Sequence, residues 1–445
     1  MFGFGDSTLR DDSLDILLPV LKCLKCSGTK WDVQLGADGS TKVVCTTCHQ
    51  TSQFQNGILW ANAPTVHEDV TSERNAVKPS EHVPELGGWS ESYRGVGFTD
   101  TDLVEAYMSL PYGDGSSRFT QPGYFAGVSR FSEEFDFISS QLPSRGSLLD
   151  LGADGTWSTA RLAARGLTCT ALDITDHLAL GDLYQTRYPS YARINVDMHE
   201  DAFVDASFDA ITAFNALHHS RRLNVVAARI AAALKPGGTL GFVEPYVQNA
   251  EQERAFGAPQ AGIGISENLH TIQEWHRTFH EVGLTLKTFA MSDAFCAVYE
   301  KPARNLAESL DVLSTDPDGC IVEYYRGKLE STPTDLRFVM GETPVFQVKV
   351  TNHSRAAWAS RGPKPVNLGY HVERLDGDGF KMVAFDGPRT AIASFLAGGE
   401  SRIFAVPVPL CTAGVYRIEF DLVHETKTWF RDRGATTATV ICTIT

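Results

Sequence analysis

The sequence predicts a multidomain α/β chain: a small metal-binding ribbon, then a doubly wound parallel sheet, then a C-terminal antiparallel β-sandwich. Three observations carry that prediction. Two Cys-x-x-Cys pairs stand at Cys23/Cys26 and Cys45/Cys48. A strand, tight turn, helix and second strand run from Gly146 to Asp176. Beyond residue 333 the apolar residues alternate in short runs separated by Gly, Pro and Asp. At 445 residues the chain exceeds one ordinary core. Its 43% hydrophobic and 21% charged residues are a globular composition.

Composition also excludes. A formal charge of −15 argues against a broad phosphate-binding surface, so nucleic acid is not the expected partner. The chain has no apolar run of about eighteen residues, and MFGFGDSTLRDDSLD lacks a basic segment followed by an apolar core. A cytoplasmic protein without a membrane span is expected. Nine cysteines, four of them in the two pairs, suit a reducing compartment with a metal site better than a disulfide framework. Nothing in the sequence sets the oligomeric state.

The first pair, Cys23-Leu-Lys-Cys26, is separated by 18 residues from the second, Cys45-Thr-Thr-Cys48. Each pair forms a knuckle, and a hairpin between them brings four thiolates to one tetrahedral ion, for which zinc is favoured over iron. No catalytic neighbour is evident, so the metal's expected role is structural, and His49 reads as a surface residue. The run Phe54 to Trp60 predicts a closing turn and strand. Residues 1–64 carry five Lys or Arg against six Asp, which gives little attraction for RNA. From Leu18 to Trp60 the segment resembles the small Trm112-like zinc domain, a separate activator of methyltransferases that also occurs fused ahead of them.

Pro64 to Pro84 reads as a polar linker, and helices are expected over Asp100–Leu110 and Ser129–Leu142. In the central region Leu148-Leu149-Asp150-Leu151 breaks at Gly152-Ala153-Asp154-Gly155, and a helix then runs to Gly166 as C-cap. A second strand, Thr168 to Leu172, ends in Asp173. In a doubly wound sheet this places backbone amides and an acid at neighbouring strand ends, where a nucleotide-like ligand is held and ribose hydroxyls are accepted. A third strand leads to Asn195-Val196-Asp197-Met198. A fourth, Ala206 to Phe214, delivers Asn215, His218 and His219 to the same edge. Leu234-Lys-Pro-Gly-Gly238 predicts a tight turn into strand Thr239–Val243, and Leu284–Phe289 with Ala294–Tyr299 a closing hairpin.

From about Phe119 to Lys301 these residues resemble the class I S-adenosylmethionine-dependent methyltransferases, which implies a Rossmann-like seven-stranded sheet and S-adenosylmethionine as cofactor. The chain departs from that family's glycine motif. Asp154 stands where a second glycine is usual and Gly155 is displaced by one, so a carboxylate faces the cofactor's methionine carboxylate unless it turns away. The resemblance implies cofactor contacts from Asp150, Gly152, Ala153, Asp173, Ile174, Asp197, Met198, Asn215 and Tyr124, with Asp197 at the adenine amino group. Adjacent histidines at a strand end suit general base chemistry. His219 is the first candidate and His218 the second, against the plainer reading that one of them packs or bonds to backbone. His270 is a candidate for substrate contact, although Glu267-Asn-x-His270 also reads as a helix start.

Pro302 to Pro333 reads as a connector. Strands are expected over Pro344–Asn352, Val366–Glu373, Ser401–Val408, Gly414–Leu422 and Thr436–Thr443. Asn352-His-Ser with Trp358, Tyr370-His371, Asp386-Gly-Pro-Arg389-Thr390 and Phe420 to Glu425 with Trp429-Phe430 resemble an immunoglobulin-like domain of bacterial surface-polysaccharide enzymes and O-antigen exporter ATPases, where it recognises glycan. That resemblance implies a carbohydrate acceptor. In the plainer reading Trp358, Trp429 and Phe430 are core residues, and Asp386 with Arg389 is a turn ion pair. The expected segments are 1–64 ribbon, 65–118 linker and pre-sheet helix, 119–301 methyltransferase domain, 302–333 connector and 334–445 sandwich. The expected activity is O-methylation of a sugar or polysaccharide-type acceptor. The rivals are RNA or protein methylation guided by the ribbon, and a non-catalytic glycan-binding scaffold whose glycine motif has degenerated.

Overall fold

The structure, a computed structural model, describes residues 9–36, 39–61, 100–113, 128–248, 252, 267–303, 310–331, 335–361, 364–392 and 395–445. The expected linker Pro64–Pro84 and Tyr124 lie outside them. The chain divides into two compact units, Met1–Leu286 with Ala297–Glu308, and Lys287–Cys296 with Ser309–Thr445. Among the described residues no helix is long and apolar enough to cross a membrane.

The first unit begins with α1 (Leu9–Leu17) and the ribbon strands β1 (Trp31–Leu35), β2 (Thr41–Cys45), β3 (Thr51–Gln55) and β4 (Ile58–Trp60). Helices α2 (Asp100–Ser109) and α3 (Ser132–Gln141) precede β5 (Gly146–Leu151), α4 (Trp157–Ala164), β6 (Leu167–Asp173), α5 (Gly181–Gln185) and β7 (Ala192–Asn195). Then come β8 (Phe208–Phe214), α6 (Leu223–Ala233), β9 (Leu234–Glu244), β10 (Tyr246–Val247), β11 (His270–Thr271), α7 (Ile272–Glu281), β12 (Thr285–Met291) and β13 (Phe295–Glu300). Within this unit the sheet order is β1-β2-β3-β4-β7-β6-β5-β8-β9-β13. The central pairs β7–β6, β6–β5, β5–β8 and β8–β9 are all parallel. Leu148, Leu149, Leu151, Ala171, Leu172, Ile211 and Ala213 are buried along these strands, the unbroken apolar pattern of a sheet covered on both faces. As expected, α4 ends at Gly166, whose φ of +97° places it in the left-handed region.

The tight turn expected over Leu234 to Gly238 is present, with Gly238 folded back against Lys235. It is the start of β9, and the ladder to β8 jumps from Phe208↔Leu234 to Ala210↔Thr239. The extra residues bulge there. Gly237, at φ +80°, donates its N–H to Lys301 O, and Lys301 N–H returns a bond to Gly238 O.

The ribbon shares the sheet. β4 adds in parallel to β7, with Ile58↔Arg193, Leu59↔Ile194 and Trp60↔Asn195. Arg193 is 1% exposed and fastens the join. Its guanidinium donates to Leu178 O at 2.8 Å, Asn56 O at 3.1 Å and Asp182 Oδ1 at 2.5 Å. A Cβ on Gly57 would collide with that guanidinium, which explains glycine in the β3–β4 turn. On the other side Lys22 bonds Asp201 and Asp205, and Lys22 N–H donates to Ala202 O.

The second unit holds β14 (Gly327–Ser331), β15 (Asp335–Phe338), β16 (Val345–Asn352), β17 (Ala356–Ala359), β18 (Val366–Asp376), β19 (Gly379–Ala384), β20 (Thr390–Ala391), β21 (Phe395–Leu396), β22 (Ser401–Pro407), β23 (Gly414–His424), β24 (Thr428–Trp429) and β25 (Ala438–Ile444). One sheet runs β14-β16-β22 and the other β15-β25-β23-β18-β19. Alternate burial along β16, with Phe346, Val348 and Val350 inward, is the period of two read from the sequence. The expectation of an antiparallel sandwich needs correcting at two places, because β15 pairs in parallel with β25 and the Lys287–Met291 part of β12 pairs in parallel with β17.

The plainer reading of the aromatic residues holds for two. Trp358 and Phe430 are fully buried, stacked edge to face at 5.1 Å, and Trp358 Nε1 donates to Tyr324 O. Neither can meet a sugar ring. Trp429 is half-buried, with the Arg389 guanidinium 5.0 Å above its ring centre. Arg389 is in turn ion-paired to Asp386 at 2.6 Å and Glu425 at 2.7 Å.

Arg193→Ala is expected to lower the stability of the first unit by about 3 kcal/mol, the low end of the range for a broken buried pair because Asp182 is itself partly exposed. Urea unfolding followed by tryptophan fluorescence reads this directly.

Candidate active site

The carboxyl ends of β5 to β9 come to one edge, and buried acids organise the loops after β5, β6, β7 and β8. Asp150, near the end of β5, is 1% exposed. Its Oδ2 accepts from Ser158 Oγ and Thr159 Oγ1 at 2.6 and 2.7 Å, and its Oδ1 from Thr212 Oγ1 at 2.8 Å. Burial raises its pKa, against the three hydroxyls that favour the anion. Asp150 therefore ties the start of α4 and strand β8 to β5. The expected cofactor contact from its side chain is corrected, because the group has no outward face.

The loop that follows is strained by design. Gly152, Asp154 and Thr156 have φ of +64°, +43° and +65°. A Cβ at Gly152 would collide with Ala216 Cβ, so the loop closes directly onto the β8 turn. Its amides are spent inside the protein: Ala153 N–H donates to Leu172 O, Thr156 N–H to Ala153 O, and Asp154 N–H to Asp173 Oδ2 at 2.8 Å. The expectation that Ala153 offers its amide or its side chain to a ligand is corrected by that bond and by its 3% exposure.

Asp173 closes β6. Its Oδ1 accepts from Thr175 N–H and Oγ1, both at 2.8 Å. With the Asp154 amide on Oδ2, three of four lone-pair positions are filled and one on Oδ2 stays open among the described residues. Burial, then the charge of Asp154, raises its pKa. Asp154 turns away from the mouth: its Oδ1 lies 2.7 Å from His177 Nδ1. Burial acts to lower the His177 pKa, but the carboxylates of Asp154, Asp173 and Asp176 outweigh it and the net shift is upward. His177 is 2% exposed, and its Nε2 is buried without a hydrogen-bond partner among the described residues.

Past β7, Asp197 Oδ1 accepts from His199 N–H at 3.0 Å and meets His199 Nδ1 at 2.6 Å; His199 Nε2 meets Ser220 Oγ at 2.7 Å. Burial pushes the Asp197 pKa up, but the bonds and charge of His199 bring it below its ordinary value. Ser220 is 3% exposed and also accepts the Arg222 N–H, so this chain braces the β8 turn against the β7 loop.

The fourth acid is Glu244, last residue of β9 and fully buried. It gathers the turn after β8: Ala216 N–H and Leu217 N–H donate to Oε1, and His218 N–H and Nδ1–H lie 3.3 and 2.7 Å from Oε2. His218 Nε2 faces Glu267 Oε2 at 3.2 Å. Burial lowers the His218 pKa, yet the two carboxylates overcome it and hold it at about 9. His218 as a general base is thereby corrected, since in the unliganded fold Glu244 and Glu267 take up both its nitrogens. His219, partly exposed, stacks on it with ring centres 4.1 Å apart. His270 packs edge to face on Trp275 at 4.9 Å, immediately before Thr271, which caps α7 with Glu274 in a capping box. The helix-start reading of that stretch is the one found, with Glu274 as its acid. Glu267 goes to His218 instead.

Gly152, Ile174 and Met198 are half-buried and Asn215 is exposed, at φ +59°. These are the expected cofactor residues that keep an outward face. His177 and His199 were not singled out from the sequence; each stands in a polar loop, and nothing in its spacing shows that it neutralises an acid.

In the ribbon, Cys23 Sγ and Cys48 Sγ are 3.5 Å apart and Cys26 Sγ and Cys45 Sγ 3.6 Å apart, with all four sulfurs within 4.8 Å of one another. A tetrahedron with metal–sulfur bonds of about 2.3 Å has edges of about 3.8 Å, so the donor set fits one such ion. The two knuckles repeat one geometry: Ser27 and His49 both have positive φ, and their N–H groups donate to Cys23 O and Cys45 O.

Residues 118–288 match a family described as a methyltransferase domain. The chain is 36% identical over 96 residues to a sterol 24-C-methyltransferase of Neurospora crassa, covering 20% of this chain and 25% of that protein. It is also 36% identical over 70 residues to a highly reducing polyketide synthase of Aspergillus luteorubrus, covering 16% of this chain and 2% of that protein. The chain thus spans a quarter or less of the curated relatives it matches. Among solved structures it is similar to one chain of a complex containing the Trm112 methyltransferase activator of Haloferax volcanii, at 17% identity and a TM-score of 0.35, covering 39% of this chain and 91% of that one. An S-adenosylmethionine-dependent methyltransferase of Mesorhizobium loti gives 14% and 0.33, covering 38% and 98%.

Gly152→Ala is expected to destabilise the first unit by about 2–4 kcal/mol, combining the positive φ with the collision at Ala216. Adding Ala216→Gly relieves the collision alone and recovers only part of the loss in thermal unfolding.

Proposed function

We propose that this chain is an S-adenosylmethionine-dependent methyltransferase that methylates a hydroxyl of a carbohydrate-type acceptor. The observation that supports it most is the methyltransferase-domain match over residues 118–288, laid on a parallel sheet whose carboxyl edge keeps a few polar valences open. Asp173 Oδ2 has one position for a ribose hydroxyl, and Asp197 Oδ2 lies open for an amino donor such as that of adenine. Ile174 and Met198 flank the base, and Gly152 with Asn215 lines the side toward the methionine end. When bound, the cofactor supplies an electrophilic sulfonium methyl. The chain's part is alignment: the loops hold the acceptor oxygen on the methyl's far side, and the acceptor proton leaves past the polar rim of His219 and Glu267. The sugar acceptor is supported by the resemblance of the second unit to glycan-recognising domains, with Trp429, Arg389 and Asp386 as the partly exposed group. Cys23, Cys26, Cys45 and Cys48 hold a structural zinc that fixes the ribbon against β7, and a reducing, cytoplasmic setting keeps those thiolates available.

Titration calorimetry with S-adenosylmethionine is expected to give one site per chain, and the absence of both heat and thermal shift would remove the proposal. His177 gives a pH signature. Its folded-state pKa is raised, so the pairing with Asp154 is full below the ordinary histidine range and fades as pH rises through the raised value. Cofactor affinity is expected to fall over that rise, as the freed Asp154 charge faces the methionine carboxylate. His177→Ala weakens binding roughly tenfold, about 1.4 kcal/mol, at lower pH, and adding Asp154→Gly restores it. Elemental analysis of the ribbon is expected to return one zinc per chain, lost together with the fold of residues 18–61 in Cys45→Ser.

A further inference from the structure

Glu244, His218, His219 and Glu267 are built into a tighter constellation than a polar rim for proton release requires. A ring nitrogen of His218, a ring nitrogen of His219 and a carboxylate oxygen of Glu267 lie within 4.8 Å of one another. They sit at the rim of the β8 and β9 carboxyl ends, on the turn Leu217–His219 and on the segment leading to β11. The His218 Nε2 to Glu267 Oε2 separation is 3.2 Å. Two donors about 2.1 Å from one metal ion are about 3.0 Å apart when at right angles and about 3.4 Å apart in a tetrahedron, so a gap that serves as an ion pair in the empty site also fits two ligands of one cation.

The support behind the ligands is built as well. His218 Nδ1 is held by Glu244 Oε2 at 2.7 Å, and Glu244 is fully buried and gathers three backbone amides of the same turn. A carboxylate behind a ligating imidazole fixes the ring and its tautomer with Nε2 outward. Asn268 N–H and Nδ2 donate to His218 O at 2.8 and 3.2 Å, which fixes the Glu267 segment to the histidine turn. Four buried or half-buried groups are thus organised around one point.

We propose that His218, His219 and Glu267 bind a divalent first-row transition ion, in a two-histidine, one-carboxylate site distinct from the cysteine site. Imidazole and carboxylate donors suit Mn(II), Fe(II) or Zn(II), and three protein ligands leave coordination positions open toward the mouth. Resting on the methyltransferase reading, the ion's place is on the acceptor side, where it holds and polarises an acceptor oxygen.

Mn(II) is the probe, because four soft thiolates do not retain it while the histidine–carboxylate site does. The full chain is titrated with Mn(II) and free ion is followed by electron paramagnetic resonance. One bound Mn(II) per chain is expected, with His219→Ala and Glu267→Gln each weakening binding at least tenfold while cooperative unfolding and zinc content are retained. Both variants alter partly exposed residues, and the melting curve shows whether each is folded. No bound Mn(II), or equal binding by wild type and both variants, overturns the site. The same sample is titrated with S-adenosylmethionine: cofactor binding without Mn(II) binding sinks this inference and leaves the methyltransferase reading standing, whereas Mn(II) binding without cofactor binding does the reverse.

Discussion

Burying a carboxylate is among the most expensive things a fold can do unless every lone pair is answered, and this sheet does it four times along one edge. Asp150, Asp173, Asp197 and Glu244 sit at or just past the ends of β5, β6, β7 and β9, none more than 8% exposed. Each is answered by a different set: hydroxyls for Asp150, a loop amide and a threonine for Asp173, one histidine for Asp197, and three amides with a histidine for Glu244. Because the partners come from the next loop or the next strand, satisfying the acids fixes the loops. The same acids then leave just a few valences turned outward, which makes the edge selective rather than merely polar.

The departure at Asp154 fits that scheme. A fifth carboxylate beside Asp173 would repel it, and His177 is placed to absorb the charge, 2.7 Å from Asp154 Oδ1. The ribbon is likewise tied in by two cations, Lys22 through Asp201 and Asp205 and Arg193 from β7. Arg193 spans β7, the β3–β4 turn and α5, so the four-cysteine hairpin becomes the outer part of the sheet's β7 edge. The ribbon and the parallel sheet therefore form one compact unit.

Much of this was legible in the residues. Strand positions, the glycine turn and the two cysteine knuckles follow from local spacing, because hydrophobic period and knuckle geometry are short-range properties. What the sequence did not show is which polar groups answer one another across the fold. Asp150 and Ala153 look like ligand contacts because they occupy the family's motif, yet their bonding is internal. His218 looks like a base because a free imidazole titrates near neutrality, yet two acids 26 and 49 residues away take up both its nitrogens. Glu267 was read as part of a helix start, and only the fold brings it to His218. In the second unit, alternation predicted the strands, but it does not specify strand direction, and β15–β25 is parallel. Burial of Trp358 beneath Tyr324 is equally invisible in a run of alternating residues.

The central claim is that the edge bounded by Gly152, Asp173, Asp197 and Asn215 receives a nucleoside-bearing sulfonium compound. A crystal structure of the full chain with S-adenosylhomocysteine tests it most directly. The account predicts density along that edge, with a ribose hydroxyl on Asp173 Oδ2 and the adenine between Ile174 and Met198. Protein side chains filling the same hollow, or the nucleoside bound elsewhere, would contradict it.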